Sequence, residues 1–554
     1  MKEAYNLVLK KMWLFIFALL FILQTAWAQN LPLAPQSYGD QLIIGQVGQP
    51  PAQLNPFQVD DINMKQIARL IFGTGLIQQP DRFGQPPSIV SFILDVPNQL
   101  RGRVWRYSLN RNITFQNGIP LRNSDVKFTY DLLIKWGGHI LNRELDFSNV
   151  SSIMINGDLE IQFNLKKKDN NFDLKLSDIP ILSRDYYQEV ARNGLVAFNR
   201  LRPFGYGPFI FARATDREIR LKSHPLYSFG RPFLDQVIYR FYENEQKMID
   251  GFTQGNLDLI EVEDRVSAER LHQVLREEIT IFPVPRPEKK LYFIQFNLGR
   301  FPFRNRKVRQ AIRSAIHTNE IVNRLADRND RVAYSIISRE NKDFYRGLAE
   351  SRYNPTQSLQ MLQTDGWSVD RGKGILQKNS RELNFELIFE QGSYLEESIA
   401  RAIKIYLAEL GINVLPKPVN RQEKKNLIRR NQFTAVINTF SYYENADYEA
   451  VKIFYKHVLR KEKPFSNYSN QMLERLFKQA DMDPAMRKSA IERFQIFLHR
   501  QVPVIPLYFN NTIFYAVRNR FRNIRISFIS GKTYFHRLNP FENWFVPKPL
   551  QKYR

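Results

Sequence analysis

Residues 203–211 read PFGYGPFIF, and a Gly-x-Gly spacing beside an apolar run is an arrangement that could cradle a phosphate on backbone N–H groups. A dinucleotide-binding loop needs a third glycine three residues after the second, and that position is Ile210. What remains is a turn entering a strand: Gly205 and Gly207 supply backbone freedom, Pro208 fixes one dihedral, and Phe209 begins the apolar run. Ser530-Gly531-Lys532-Thr533 has the ending of a P-loop, but Ile526 stands where its first glycine belongs. The histidines (His139, His224, His272, His317, His457, His499 and His536) show neither H-E-x-x-H nor i, i+4 pairing, and no cysteine offers a thiolate to zinc or haem. A G-x-S-x-G nucleophile elbow is also missing. No catalytic constellation, cofactor or metal site is therefore expected.

The elements that must position any binding site read as α/β. Residues 41–47 form a strand, followed by an amphipathic helix from Leu54-Asn55-Pro56 to Phe72 that Gly73 and Gly75 close. Trp105, Tyr107 and Leu109 alternate with polar residues, as do Leu159, Ile161, Phe163 and Leu165, so both stretches are half-buried strands. Between them Asn117-Gly118 turns the chain and Ser124-Asp125 starts a helix. Val308, Ala311, Ile312, Ala315 and Ile316 make an apolar helical stripe, with Arg309 and Arg313 off it. Residues 383–389, a helix from Ile399 to Leu410 stopped by Gly411, and residues 412–415 then make a parallel strand–helix–strand crossover.

The 554 residues exceed one core, so two or more lobes are expected. Lys10 and Lys11, the apolar residues 12–23 and Ala26-Trp27-Ala28 read as a cleavable signal peptide over 1–28, which places the mature chain free in the periplasm. The net charge is +25, and removing the leader's three lysines and one glutamate leaves +23. Such a charge suits nucleic acid, anionic envelope polymer or an acidic partner. The basic residues are scattered, though, and their tightest group (Arg421, Lys424, Lys425, Arg429, Arg430) has no interleaved aromatics, so it is read as a solvated helix face and no nucleic-acid partner is expected.

Five stretches in order resemble one family, the large oligopeptide- and dipeptide-binding class of solute-binding proteins serving peptide and nickel ABC importers (family 5). They are VWRYSLNRNITFQNGIPLRNSDVKFTYDLL at 104–133; PFGYGPF with HPLYSFGRPFLDQV and QGNLDL; FIQFNLGRFPFRNRKVRQAIRSAI with Asn297; YNPTQSLQMLQTDGW; and VPVIPLYF. The resemblance implies a two-lobed periplasmic-binding-protein fold of type II, with mixed sheets flanked by helices and a subdomain inserted in the first lobe. It divides the chain into lobe I at 29–70, 186–285 and 506–554, the inserted subdomain at 71–185, and lobe II at 286–505. Tyr206 departs from the family's usual threonine and is expected to narrow the cleft.

The resemblance also implies the site. Peptide-binding members hold an extended ligand and meet its ammonium group with an acid in an A-D-Y stretch, which here matches Ala446-Asp447-Tyr448. Asp447 is the expected ammonium partner, with Tyr448, Phe440, Tyr442 and Tyr443 as pocket residues and Asn297 at the hinge or cleft edge. The glutamate or asparagine before the motif and the missing proline after it depart from the pattern. The implied function is a monomeric receptor that delivers a peptide or peptide-like solute to an inner-membrane ABC permease. The alternative is a binder or sensor of an anionic envelope-derived ligand, such as a cell-wall fragment or acidic peptide, without transport; a hydrolase ranks last.

Overall fold

The computed structural model describes residues 37–553 except 52, 58–61, 74–75, 79–88, 92–97, 101, 110–111, 137–146, 158–159, 170–171, 173–175, 177–178, 328, 349–351, 371, 444–446, 460–470 and 525–540. The expected signal peptide and the Ser530–Thr533 stretch lie outside the described residues. The strands that matter below are β1 (Gln41–Val47), β2 (Asn98–Leu100), β3 (Val104–Ser108), β4 (Val150–Asn156), β5 (Glu160–Leu165), β6 (Phe209–Ala214), β7 (Glu218–Ser223), β8 (Gln236–Tyr242), β9 (Leu259–Val262), β10 (Ile279–Phe296), β11 (Asn384–Glu390), β12 (Asn413–Val419), β13 (Ala435–Tyr443) and β14 (Val504–Arg518). The helices are α1 (Ile62–Phe72), α2 (Asn123–Trp136), α3 (Glu245–Thr253), α4 (Arg265–Leu275), α5 (Arg306–Ala315), α6 (Thr318–Leu325), α7 (Tyr394–Ala408), α8 (Arg421–Arg430), α9 (Asp447–Phe454) and α10 (Arg487–Gln501).

One sheet runs through the molecule in the order β12-β11-β13-β10-β14-β9-β1-β8-β7-β6, with the short segment Arg331–Val332 paired to β14. Two long strands, β10 and β14, carry it from one lobe to the other. Residues 279–285 of β10 pair with 518–512 of β14, and residues 290–295 pair with 510–504, with the register broken between Pro285 and Lys290. Pro287 lies inside that gap and has no N–H to give, so it cannot supply a donor to the ladder there. The break is the hinge. The gap spans residues 286–289 of β10 and Asn511 of β14, and residues 504–510 are still paired to the lobe II half of β10.

Each half of the sheet is covered on both faces, as the period of two along its strands requires. In lobe I, Leu42 and Ile44 enter one core while Ile43 enters the other. In lobe II, Tyr292, Ile294 and Phe296 face one helix layer while Leu291 and Phe293 face the opposite one. A separate antiparallel sheet, β2-β3-β5-β4, carries α2 and buries Trp105, Tyr107, Tyr130 and Phe163 in a core continuous with that of lobe I. Arg520 ties the discontinuous first lobe together. Its buried guanidinium meets both oxygens of Asp258 at 2.9 Å and also reaches Asp40, while Asp258 accepts the amide of Ile43 at 3.0 Å.

The PFGYGPFIF stretch is the turn expected, leading into β6. Its glycines are there for close approach: a Cβ on Gly205 would sit 2.4 Å from the Phe72 Cα, and one on Gly207 would sit 2.4 Å from the Leu70 carbonyl oxygen. Tyr206 does not narrow the cleft. Its ring is buried against Gly73 and Phe115, and its hydroxyl accepts the Ile181 amide at 3.4 Å, so the larger side chain is absorbed by the lobe I core. The parallel crossover at 384–419 is present as read, with β11 and β12 in register and Gly411 at φ +77°. Helix α1 is described from Ile62 to Phe72, and residues 58–61 before it lie outside the described residues.

Candidate functional site

In both lobes the parallel strands end toward the hinge and hand over to helix N-termini. In lobe I, Asn244 caps α3 by accepting the Lys247 amide at 2.9 Å, and Asp264 caps α4 by accepting that of Ser267 at 2.8 Å. In lobe II, Ser393 caps α7 and Asn420 caps α8, with Asn420 accepting the Glu423 amide at 2.8 Å. Crevices outside the carboxyl ends of strands, lined by helix N-termini, are where open α/β sheets bind polar ligands.

The two rows touch. The Gln246 amide donates to the Gly392 carbonyl at 3.1 Å, and Arg421 donates to the Val47 carbonyl at 3.4 Å. Arg270 lies 4.2 Å over the Tyr394 ring and donates to its hydroxyl at 3.2 Å. The lobes are therefore closed on each other along this edge.

Behind it, at the hinge, Glu263 follows β9 and accepts from Lys290 and from the Tyr292 hydroxyl across the crossing strand, with Arg286 at 3.6 Å. Asn510 donates to the Glu263 carbonyl at 2.9 Å. Burial alone would raise the Glu263 carboxyl, but Lys290 and Arg286 overcome it and hold the group well below the usual carboxylate range. Its neighbour Glu245 goes the other way: burial, then the charges of Asp264 and Glu263, push it up to about 8. None of these hinge groups was singled out in the sequence, since what joins them is the fold.

The sequence-predicted residues divide. Asp447 is the first residue of α9, the element that follows β13 in the chain; residues 444–446 between them, and the side chains of Asp447 and Tyr443, are outside the described residues. Phe440, Tyr442 and Tyr443 occupy the hinge end of β13, opposite Leu291, Lys289 and Glu288. Phe440 and Tyr442, two apart, share one face and stack at 6.0 Å on the lobe II core beside Phe454 and Phe509. The Tyr442 hydroxyl accepts the Ser338 amide at 3.2 Å, so this ring is core and not pocket wall. Tyr448 is core as well: its hydroxyl lies 3.0 Å from the Phe477 carbonyl and 2.9 Å from the Asp481 carboxylate.

Asn297 is not at the hinge. It follows the far end of β10, where its side-chain amide donates to the carbonyls of Asn431 at 3.0 Å and Phe433 at 2.9 Å and fixes the turn into β13. The basic helix face is only partly solvated. Lys425, Arg429 and Arg430 are exposed, whereas Lys424 is buried in an ion pair with Glu396 at 2.5 Å and Arg421 pairs with Glu390 at 2.8 Å. A helical period of 3.6 carries positions 421 and 424 to the side that packs on α7 and the cleft edge. Arg309 and Arg313 lie off the apolar stripe, yet Arg309 is buried, donating to the carbonyls of Gln501 and Val502 at the end of α10. Among the described residues no group of side chains could hold a metal ion, and no helix is long and apolar enough to cross a membrane.

Two α/β lobes, a pair of crossing strands and a closed edge of facing helix N-termini define a hinged two-lobed binding protein. The chain belongs to the bacterial extracellular solute-binding proteins, family 5, whose model matches residues 100–458. It is similar to the oligopeptide-binding protein AppA of Bacillus subtilis, with 26% identity over 493 residues that cover 86% of this chain and 87% of the relative. The structure of that protein in complex with a nonapeptide superposes with a TM-score of 0.65 at 22% identity, covering 92% of this chain and 99% of the other. A dipeptide-binding protein of a Pseudoalteromonas species in complex with Met-Leu gives a TM-score of 0.67 at 17% identity, covering 91% and 100%.

Proposed function

We propose that the protein captures an oligopeptide or peptide-like solute between its lobes by hinge closure and delivers it to an inner-membrane ABC importer from the periplasm. The observation that carries this reading is the closed edge between facing helix N-termini of two lobes that β10 and β14 connect, in a chain similar along most of its length to a peptide receptor. A ligand that touches both lobes only when they are closed shifts an existing equilibrium toward closure and needs no chemical step. Asp447 is the group we assign to the ligand's ammonium, on the strength of the Ala446-Asp447-Tyr448 stretch and of its position at the start of the helix that follows β13.

The test is native mass spectrometry of the mature protein from periplasmic expression, with denaturing release of what is bound. A ladder of short peptides is the expected result, and Asp447→Asn then weakens binding of a released peptide about tenfold, as expected for loss of one charge-assisted hydrogen bond. A single non-peptide species would overturn the peptide assignment.

A further inference from the structure

Lobe II holds a second pocket away from the cleft edge, between α5, α6, the end of α10 and the segment after Arg331–Val332. Its volume is about 50 Å³, several times the roughly 10–15 Å³ that one water occupies by the same measure. Arg313, His317, Thr318, Ser335, Tyr353 and His499 line it, and no carboxylate does.

The polar groups are set up to donate. Arg313 is held in place by donating to the His499 carbonyl at 2.6 Å, yet its Nε is buried with no hydrogen-bond partner, and the side chain forms no ion pair among the described residues. Partial burial pushes this guanidinium below its ordinary pKa. Ser335 is 2% exposed and its hydroxyl also has no partner. The His317 Nδ1 accepts the Glu320 amide at 3.2 Å, so the neutral ring carries its hydrogen on Nε2. Glu320, the acid that acts on His317, is already engaged by Tyr406 at 2.7 Å and by Arg324. Leaving a buried guanidinium N–H and a buried hydroxyl unmatched is costly, and an anion with several acceptor oxygens would satisfy both.

We propose that this pocket is a binding site for a small oxyanion, held by the Arg313 Nε and the Ser335 hydroxyl. It is separate from the solute cleft and does not depend on what the cleft binds. The test is isothermal titration calorimetry of the full chain with sodium phosphate, sodium sulfate and sodium acetate, each in sodium chloride at constant ionic strength. Saturable binding with a Kd of about 1 mM or tighter is expected for at least one of them. The tightest names the source, a free inorganic oxyanion for phosphate or sulfate and a carboxylate-bearing solute for acetate. Ser335→Ala should weaken it about tenfold and Arg313→Gln should abolish it, while Arg429→Gln with Arg430→Gln on the exposed helix leaves it unchanged. No saturable heat with any anion, or the same Kd in Ser335→Ala as in the wild type, would overturn the proposal; Ser335→Ala carries the test if Arg313→Gln does not fold.

Discussion

Glu245 and Glu263 sit side by side at the hinge and are pushed in opposite directions, the first up to about 8 and the second well down, because Lys290 pairs directly with Glu263 and Arg286 stands 3.6 Å from it, whereas the weaker pull of Lys290 on Glu245 does not offset that group's burial. The folded state of Glu245 therefore binds a proton that the unfolded state has released between its ordinary value of 4.5 and about 8. Over that window stability falls as pH rises. Glu245→Gln removes the ionisation, so its stability relative to the wild type should be near zero at pH 4.5 and rise to on the order of 2 kcal/mol by pH 8.5, a half-buried group being partly screened by solvent. Thermal melts at the two pH values check this, and an equal difference at both would show that Glu245 does not titrate as argued. At this scale the sequence was least legible. Tyr448 and Asn297 were read from a motif as ligand groups, and each has its polar atoms taken up by its own lobe: Tyr448 by Phe477 and Asp481, Asn297 by Asn431 and Phe433. A motif conveys residue type and order; it does not reveal which buried acceptor lies on the other side.

Elements were far more legible, because period and turn chemistry are local. β1 spans 41–47 as read, and Gly411 ends its helical segment in the left-handed conformation that the stop signal implies. The misread cases are faces whose burial depends on a distant partner: Lys424 is buried by Glu396, 28 residues back, and Tyr206 by Gly73 and Phe115. Two element-level consequences follow from the geometry. Arg520 joins the start of β1, the residue before β9 and the chain past β14 through Asp40 and Asp258, so Arg520→Ala leaves two buried carboxylates unpaired and should cost about 3–5 kcal/mol in chemical denaturation. A loss below about 1 kcal/mol would mean that water replaces the guanidinium. Gly392, at φ +81°, carries the loop from β11 into α7 against lobe I, and a Cβ there would lie 2.5 Å from the Asn244 Cγ. Gly392→Ala should therefore hold the lobes apart, raising the radius of gyration in small-angle scattering and weakening solute binding about tenfold. An unchanged scattering profile would place the clash within reach of a side-chain rotation by Asn244.

For the whole molecule the question is how much of closure belongs to the protein and how much to its ligand. Among the described residues, hydrogen bonds cross the cleft edge from Gln246 to Gly392, from Arg421 to Val47 and from Arg270 to Tyr394. At about 0.5–1.5 kcal/mol for each hydrogen bond, and less for an exposed side chain, they bias the equilibrium without fixing it. Continuity of one sheet through β10 and β14 keeps the lobes aligned, and the gap in their pairing at 286–289, where Pro287 has no N–H to give, frees the crossing from a rigid ladder. Closure is thus poised, and a ligand bridging the lobes can complete it with an ordinary affinity. Removing both arginine contacts, Arg270→Ala with Arg421→Ala, should open the unliganded protein and leave both cores intact. The radius of gyration should rise without ligand and return to the wild-type value at saturation, with affinity about tenfold weaker. A variant that stays open at saturating ligand would show that these arginines are part of the binding surface itself, and would move the site from the strand ends of lobe II to the edge that Arg421 shares with Val47.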